Sequence, residues 1–322
     1  MPNNLRTPLL TALLLTLGLQ AAQACEAPPP AVHDIDANSY YTDKNHSVID
    51  PVRKARNEAA TKPVDEFLEA VARHASAYQA APAKREEAQC GLQWLSAWAR
   101  QDAMLGKMSS NQSYYTRKWA LGGLALSYAK LRPAASDADR QAIDAWLKTL
   151  ADATLVHADA NKGVRNNHYY WEGLAVASTG AVTGDQRLLG WGRKVFDHAM
   201  SQVAEDGSLP LEMGRAAKAL HYHSFAAQPL VMLASILDVQ SPKLDRLVRF
   251  TLQGVADPSA IEKATGIAQE RIKSTPGWTL VYARHTGGTA AVATGAAAPG
   301  KLWEPRLGGD IGMANPLEHP AR

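Results

Sequence analysis

Apolar residues recur at helical spacing through most of this chain. Val64, Phe67, Leu68, Val71 and Ala75 form one stripe that predicts a helix over 64–78, starting after Pro63. Leu92, Leu95, Trp98 and Ala99 carry a second, over 86–105. Further helices are predicted over 114–131, over 137–155 behind an N-capping Ser136, and over 168–182, stopped by Thr183-Gly184. Asp185 caps another that runs to about 203. A long or broken helix follows over 211–239, and one more over 243–255. Ahead of these, residues 26–36 with Pro28-Pro29-Pro30 read as an extended arm, and Tyr40 to His46 as a polar, aromatic loop. Past Asp257-Pro258 the pattern decays, and 287–300, rich in Gly, Ala and Thr, reads as loop. Helices of this length joined by short turns pack as antiparallel neighbours. The expected fold is all-α, an incomplete α/α toroid of antiparallel helix pairs. Periodicity carries the all-α class; the ring is an expectation.

The two ends refine this picture. Arg6, the apolar run from Leu9 to Leu19 and Ala22-Gln23-Ala24 make a secretory signal peptide over 1–24. That run is shorter than the ~20 residues a membrane span needs. The expected organisation is therefore a cleaved signal, an arm with a lid-like loop over 25–62, and a helical catalytic domain over 63–322. The mature chain is expected to be periplasmic or secreted, monomeric and free of the membrane. Cys25 and Cys90 are the only cysteines. In an oxidising compartment they pair, a crosslink worth on the order of 4 kcal/mol; lipidation of Cys25 is the rival reading. A formal net charge of +3 gives no footprint for nucleic acid.

Chemistry-bearing residues concentrate in two stretches. Asn166-Asn167-His168-Tyr169-Tyr170-Trp171 opens the 168–182 helix with amides, an imidazole and aromatic rings. The unpaired N–H groups of a helix start already favour an anion there. Some fifty residues on, Arg215 and Tyr222 stand seven apart, about 10 Å on one helix face, so that a guanidinium and a phenol can meet one sugar unit. His221 and His223 flank Tyr222, but i and i+2 diverge by about 200° on a helix, and no HExxH motif is present. No metal and no cofactor is expected. Arg117-Lys118 is a candidate cationic wall, and Trp98 a candidate groove aromatic whose spacing also suits a core.

These segments carry a family resemblance. Asn166-Asn167-His168-x-Tyr170-Trp171, Leu209-Pro210-x-Glu212, Arg215 with Ala219-Leu220-x-Tyr222-His223, and Arg117-Lys118-Trp119-Ala120-Leu121-Gly122 resemble the family 5 polysaccharide lyases. These are secreted or periplasmic alginate (polymannuronate) lyases with an incomplete α/α toroid. The resemblance runs from about Tyr40 to Val255, with a further patch at Arg306-Leu307-Gly308-Gly309. It implies catalytic roles for Asn167, His168, Arg215 and Tyr222, and places Lys44 on a mobile loop over the cleft. Tyr41, Trp171, His221, His223 and Arg306, with Lys44, Trp98, Arg117 and Lys118, complete the candidate substrate-binding set.

The implied reaction is β-elimination on an anionic polyuronate. A uronate C5 proton is removable only once donors neutralise the adjacent carboxylate, the task expected of Asn167, Arg215 and His168. In mannuronate the C5 proton and C4 oxygen share one ring face, so Tyr222 can serve as base and then as acid, its pKa lowered by Arg215 and nearby histidines. His168 as base with Tyr222 as acid is the other assignment. Glucuronate differs from mannuronate only at C2, so glucuronate polymers are expected as further substrates; guluronate, inverted at C5, is not. The rival class is a non-catalytic polyuronate-binding or export scaffold on the same fold.

Overall fold

The computed structural model describes residues 25–161, 163–288 and 300–321. The expected signal peptide over 1–24 and most of the 287–300 segment lie outside them. Eleven helices are found among the described residues, with one two-stranded hairpin. α1 (Pro51–Ala80), α3 (Asn111–Leu131), α5 (Asn167–Thr183) and α8 (Ala219–Leu237) pack side by side as an inner layer. α2 (Arg85–Ala99), α4 (Asp137–Ala160), α6 (Gln186–Gln202) and α9 (Pro242–Ala256) return along the outside. The result is an incomplete α/α toroid.

Burial explains the two layers. α5 buries residues around its whole circumference, from Asn167 and Tyr170 to Thr179 and Val182, as a helix enclosed by neighbours must. α9, by contrast, buries one stripe (Leu244, Leu247, Val248, Thr251, Leu252) and leaves the rest to solvent. Because inner and outer helices alternate along the chain, the inner helices run parallel, and their N-terminal turns gather at one end of the molecule.

Several boundaries differ from the pattern-based expectation, each for a local reason. α1 begins at Pro51, so a division at residue 62 falls inside it. Asp50 caps it by accepting from the N–H groups of Val52 and Arg53, with Pro51 at the first helical position. Pro63 is an interior residue of this helix. α2 stops at Ala99, where Asp102 and Met104 take left-handed backbone angles. The 211–239 segment is broken into α7 (Pro210–Met213) and α8, with Ala216 at φ 49° between them. Beyond Asp257 the described residues include regular elements: α10 (Ser259–Thr265), α11 (Trp278–Thr286) and a hairpin of β1 (Trp303–Glu304) and β2 (Gly309–Asp310). α11 was hidden by its shortness, but it buries Trp278, Val281 and Tyr282 against α8.

The C-terminal segment reaches the inner layer through a close approach at Gly123, where a Cβ would stand 2.3 Å from the Pro305 carbonyl oxygen. No larger residue admits that contact, which carries Arg306 onto the Trp119 ring, 4.2 Å away. The N-terminal arm is tied just as firmly. Cys25 and Cys90 are disulfide-bonded with Cα atoms 5.2 Å apart, so Cys25 has no thiol left to lipidate. Trp94 Nε1 donates to the Glu26 carbonyl and Trp98 Nε1 to that of Pro29. Further along, Ser110 and Ser113 hold Ala37. Trp98 is thus a core anchor, stacked 3.6 Å from Phe67 and shut off from solvent, and not a groove residue.

The Cys90→Ser variant should unfold with a stability lower by about 2–4 kcal/mol. Thermal unfolding with and without reductant checks this: wild type should lose the same increment on reduction and the variant none.

Candidate active site

The parallel inner helices open onto one cleft of about 1080 Å³. Their early turns line it: Lys54, Asn57 and Glu58 from α1, Gln112 and Tyr115 from α3, His168 and Tyr169 from α5, His221 and Tyr222 from α8. Helix N-termini carry partial positive charge, so this end of the fold favours anions before any side chain is counted. The loop over 39–50 roofs the cleft. Asp43 shapes it by accepting from Asn45, Ser47 and Val48 backbone N–H groups, and Tyr41 pairs with Ile49 across it.

At the centre stands Tyr222. The Arg215 guanidinium lies 4.5 Å over its ring, and the Tyr222 hydroxyl, with one proton to give, stands 3.2 Å from both the Tyr41 hydroxyl and the His46 carbonyl oxygen. Arg215 is not on the Tyr222 helix, as its spacing suggested. It sits in the break before α8, where the left-handed turn at Ala216 swings it back over the ring. Gln269 Nε2 binds the Ala216 carbonyl and Glu270 N the Ala217 carbonyl, fixing that strained turn from outside.

Beneath the cleft floor lies Glu212, with no solvent exposure. It accepts from Asn167 N at 2.9 Å and from Asn167 Nδ2 through both oxygens, at 3.0 and 3.1 Å; Arg215 Nε is 3.4 Å away. Burial raises its pKa, while Arg215 and the Asn167 donors oppose that rise. Every partner is a donor, so the group is held as a carboxylate. Asn167 is therefore a fully buried residue beneath the floor, its amide hydrogens turned to Glu212 and not to the cleft. Leu209 N donates to His223 Nε2 at 2.9 Å, and His223 Nδ1 donates to Ala219 O at 2.8 Å. His223 is thus a buried, neutral pin that sets α7 and Glu212, not a substrate contact. Desolvation brings its pKa down to about 4.

His168 stacks on Tyr115, ring centroids 3.6 Å apart, with its edge on the cleft and no protein partner for Nδ1 among the described residues. Asn166 caps this helix by accepting from His168 N. Behind it, Lys118 Nζ donates to the His168 carbonyl at 2.8 Å and to Glu172 at 3.1 Å, and lies 4.3 Å from the Tyr115 ring. Desolvation first, then the Lys118 and Arg215 charges, push the imidazole pKa well below the ordinary range. Lys118 is itself brought down to about 8 by burial. At neutral pH the imidazole is uncharged. The Tyr222 phenol moves the other way: burial raises its pKa against the opposing effects of Tyr41 and Arg215. The lowering expected from sequence is therefore overruled by desolvation.

Other candidates fall away from the cleft. Arg117 is buried, with Nη2 on the Ala153 carbonyl. Lys118 lies behind His168 and lines nothing. Trp171 is buried one layer back, against Phe225. Lys44 is exposed on the roof loop and does not line the cleft. Tyr41, His221 and Arg306 do line it. Glu212, although within the Leu-Pro-x-Glu segment, carries no signal in the sequence for its buried role, and His46 and Arg165 line the cleft without one. Among the described residues no group of three or more His, Cys, Asp or Glu is arranged to hold a metal, and no helix is long and apolar enough to cross a membrane.

The alginate lyase family profile matches residues 34–261. The chain belongs to the alginate lyase family. It is accordingly a polysaccharide lyase rather than a binding scaffold. A protein described as polysaccharide lyase from Stenotrophomonas maltophilia (strain K279a) is 42% identical, over 94% of this chain and 95% of that one. An alginate lyase of Pseudomonas syringae pv. tomato is 32% identical, over 76% of this chain and 70% of its own length. In fold, the chain superposes on a histidine-to-alanine variant of alginate lyase A1-III complexed with tetrasaccharide with a TM-score of 0.78 and 24% identity, covering 94% of this chain and 87% of that one.

In this family member, replacing Glu212 with Gln puts an amide donor against Asn167 donors. Breaking a buried charged set in this way costs about 3 kcal/mol of stability. The misplacement of Arg215 should lower kcat on the order of 10–100-fold. Thermal melting and steady-state kinetics of Glu212→Gln beside wild type check both effects.

Proposed function

We propose that this lyase cleaves β-1,4-linked polyuronate, alginate and its mannuronate blocks first, by β-elimination to unsaturated oligosaccharides. The observation that carries the reading is the Arg215 guanidinium over the Tyr222 ring, in a cleft that His168 also lines. Arg215, steadied by Glu212, is the donor to the uronate carboxylate; Asn167 acts from below by holding Glu212 in place. Neutralised in this way, the carboxylate lets charge build up as the C5–H bond breaks. Tyr222, alone or with His168 beside it, carries the proton transfers at C4 and C5. The intramolecular disulfide supports work in an oxidising compartment, secreted or periplasmic.

Tyr222→Phe should abolish the ultraviolet absorbance of unsaturated product while leaving polymer binding in place. Across purified polymers, wild-type rates should be highest on polymannuronate, present on glucuronate polymers and lowest on polyguluronate, whose C5 proton is on the opposite face. Near-normal turnover by the variant, or equal rates on polyguluronate, would contradict the assignment.

A specific observation favours the second division of labour, with His168 as base and Tyr222 as acid. In the resting site the imidazole is kept uncharged and the phenol protonated, the states such roles need. kcat/KM should then be bell-shaped, its acid limb below the ordinary imidazole value of about 6.5 and its alkaline limb above the ordinary phenol value of about 10. A rate that only climbs with pH until the phenol ionises would instead assign both steps to Tyr222.

A further inference from the structure

The cations that line the cleft are not equivalent. Lys54 pairs with Glu58, Arg215 with Glu212 at 3.4 Å, and Lys218 with Glu270 at 2.6 Å. Arg165 and Arg306 also line the cleft, and neither has an ion pair among the described residues. Each is instead laid on an aromatic face: Arg306 4.2 Å from the Trp119 ring, Arg165 4.5 Å from the Tyr169 ring. Arg165 Nη1 also donates to the Tyr169 hydroxyl at 2.9 Å. Tyr169 is itself fixed, edge-on to Trp191 at 5.7 Å and to His198 at 5.5 Å, and is only 7% exposed. Although it belongs to the loop between α4 and α5, the Arg165 guanidinium is therefore held in one place and still free to form charge-assisted hydrogen bonds.

Position gives this a purpose. Tyr169 directly follows His168 in the first turn of α5, and its ring turns towards α6. Trp119, which carries Arg306, lies on the α3 side, with its ring 6.0 Å from His168. The two unpaired guanidinium groups thus stand on different sides of the imidazole. A polyuronate carries a carboxylate on every unit, and a guanidinium already freed of protein acids takes one bidentately without displacing a salt bridge. We propose that Arg165, propped on Tyr169, is a subsite for the carboxylate of a uronate unit flanking the unit that is cleaved. This rests on the polyuronate reading above and adds a requirement on chain length: substrates long enough to reach Arg165 gain affinity from it.

The test uses purified polymannuronate and size-defined mannuronate oligomers with wild type, Arg165→Leu and Arg165→Lys. Wild type must first release unsaturated product; if it releases none, the polyuronate reading itself fails, whatever Arg165 does. Given wild-type turnover, Arg165→Leu should raise KM for polymer and long oligomers about tenfold, the scale of one charged contact. It should act least on the shortest cleavable oligomer and shift the limit-product lengths. Lys, a point charge without the planar fork, should recover part of the affinity, and added salt should narrow the gap between wild type and Leu. A KM within twofold of wild type at every chain length overturns the proposal. So does a loss that falls on kcat equally for short and long substrates, which would mark a distorted α5 start instead of a missing subsite.

Discussion

A carboxylate with no access to water must find all its partners within the protein, and Glu212 finds them in Asn167 and Arg215. This one requirement couples parts of the fold that are otherwise independent. Asn167 is the first residue of α5 and Arg215 belongs to the break before α8, so the carboxylate locks the start of one inner helix to the start of the next. It also settles what each partner offers a substrate. The amide hydrogens of Asn167 are committed, while Arg215 gives its Nε edge to Glu212 and, from Nη1, meets His46 Nδ1 of the roof loop at 3.2 Å. Charge is balanced locally, so attraction for an acidic polymer comes from the Arg215 fork, the free guanidinium groups on aromatic faces and the helix N-termini. His223 extends the constraint one step further by pinning Leu209, from which α7 and Glu212 follow.

The in–out alternation of helices makes this arrangement possible. Each outer helix returns the chain to the end where it began, so successive inner helices point the same way. Their N-terminal turns supply cleft residues from four separate stretches of sequence. An antiparallel bundle would place half of those turns at the far end and present helix C-termini, with the wrong sign, beside the substrate.

Much of the helix pattern was legible because the outer helices bury a single stripe. The inner helices were legible as helices but not in detail. When α3 and α5 are enclosed on all sides, periodicity no longer tells a cleft residue from a core one. Arg117, Lys118, Trp98 and Trp171 are residue types that often bind sugars or anions, yet burial turns them inward. Lys118 shows how far residue type can mislead: as a buried neighbour of Glu172 and the His168 carbonyl it tunes the imidazole and meets no substrate. The position of Arg215 depends on a left-handed alanine, and no helical wheel encodes that. At the start of α1, Pro63 looks like a boundary, but Asp50-Pro51 holds the stronger cap. The motif segments, in contrast, contain His168, Arg215 and Tyr222, which the fold brings to one cleft.

Proton chemistry in the cleft follows from burial more than from charge. Desolvation disfavours whichever form is ionised, so it moves an imidazole and a phenol in opposite directions. Under the 39–50 loop both groups sit away from bulk water; His168 is driven to its neutral form and Tyr222 is kept protonated. Arg215 acts on both, adding to the effect at His168 and opposing it at Tyr222, yet in neither case does it set the direction. The loop therefore helps set the protonation states of both groups. It covers the Tyr222 hydroxyl with the Tyr41 hydroxyl and the His46 carbonyl oxygen, each 3.2 Å away.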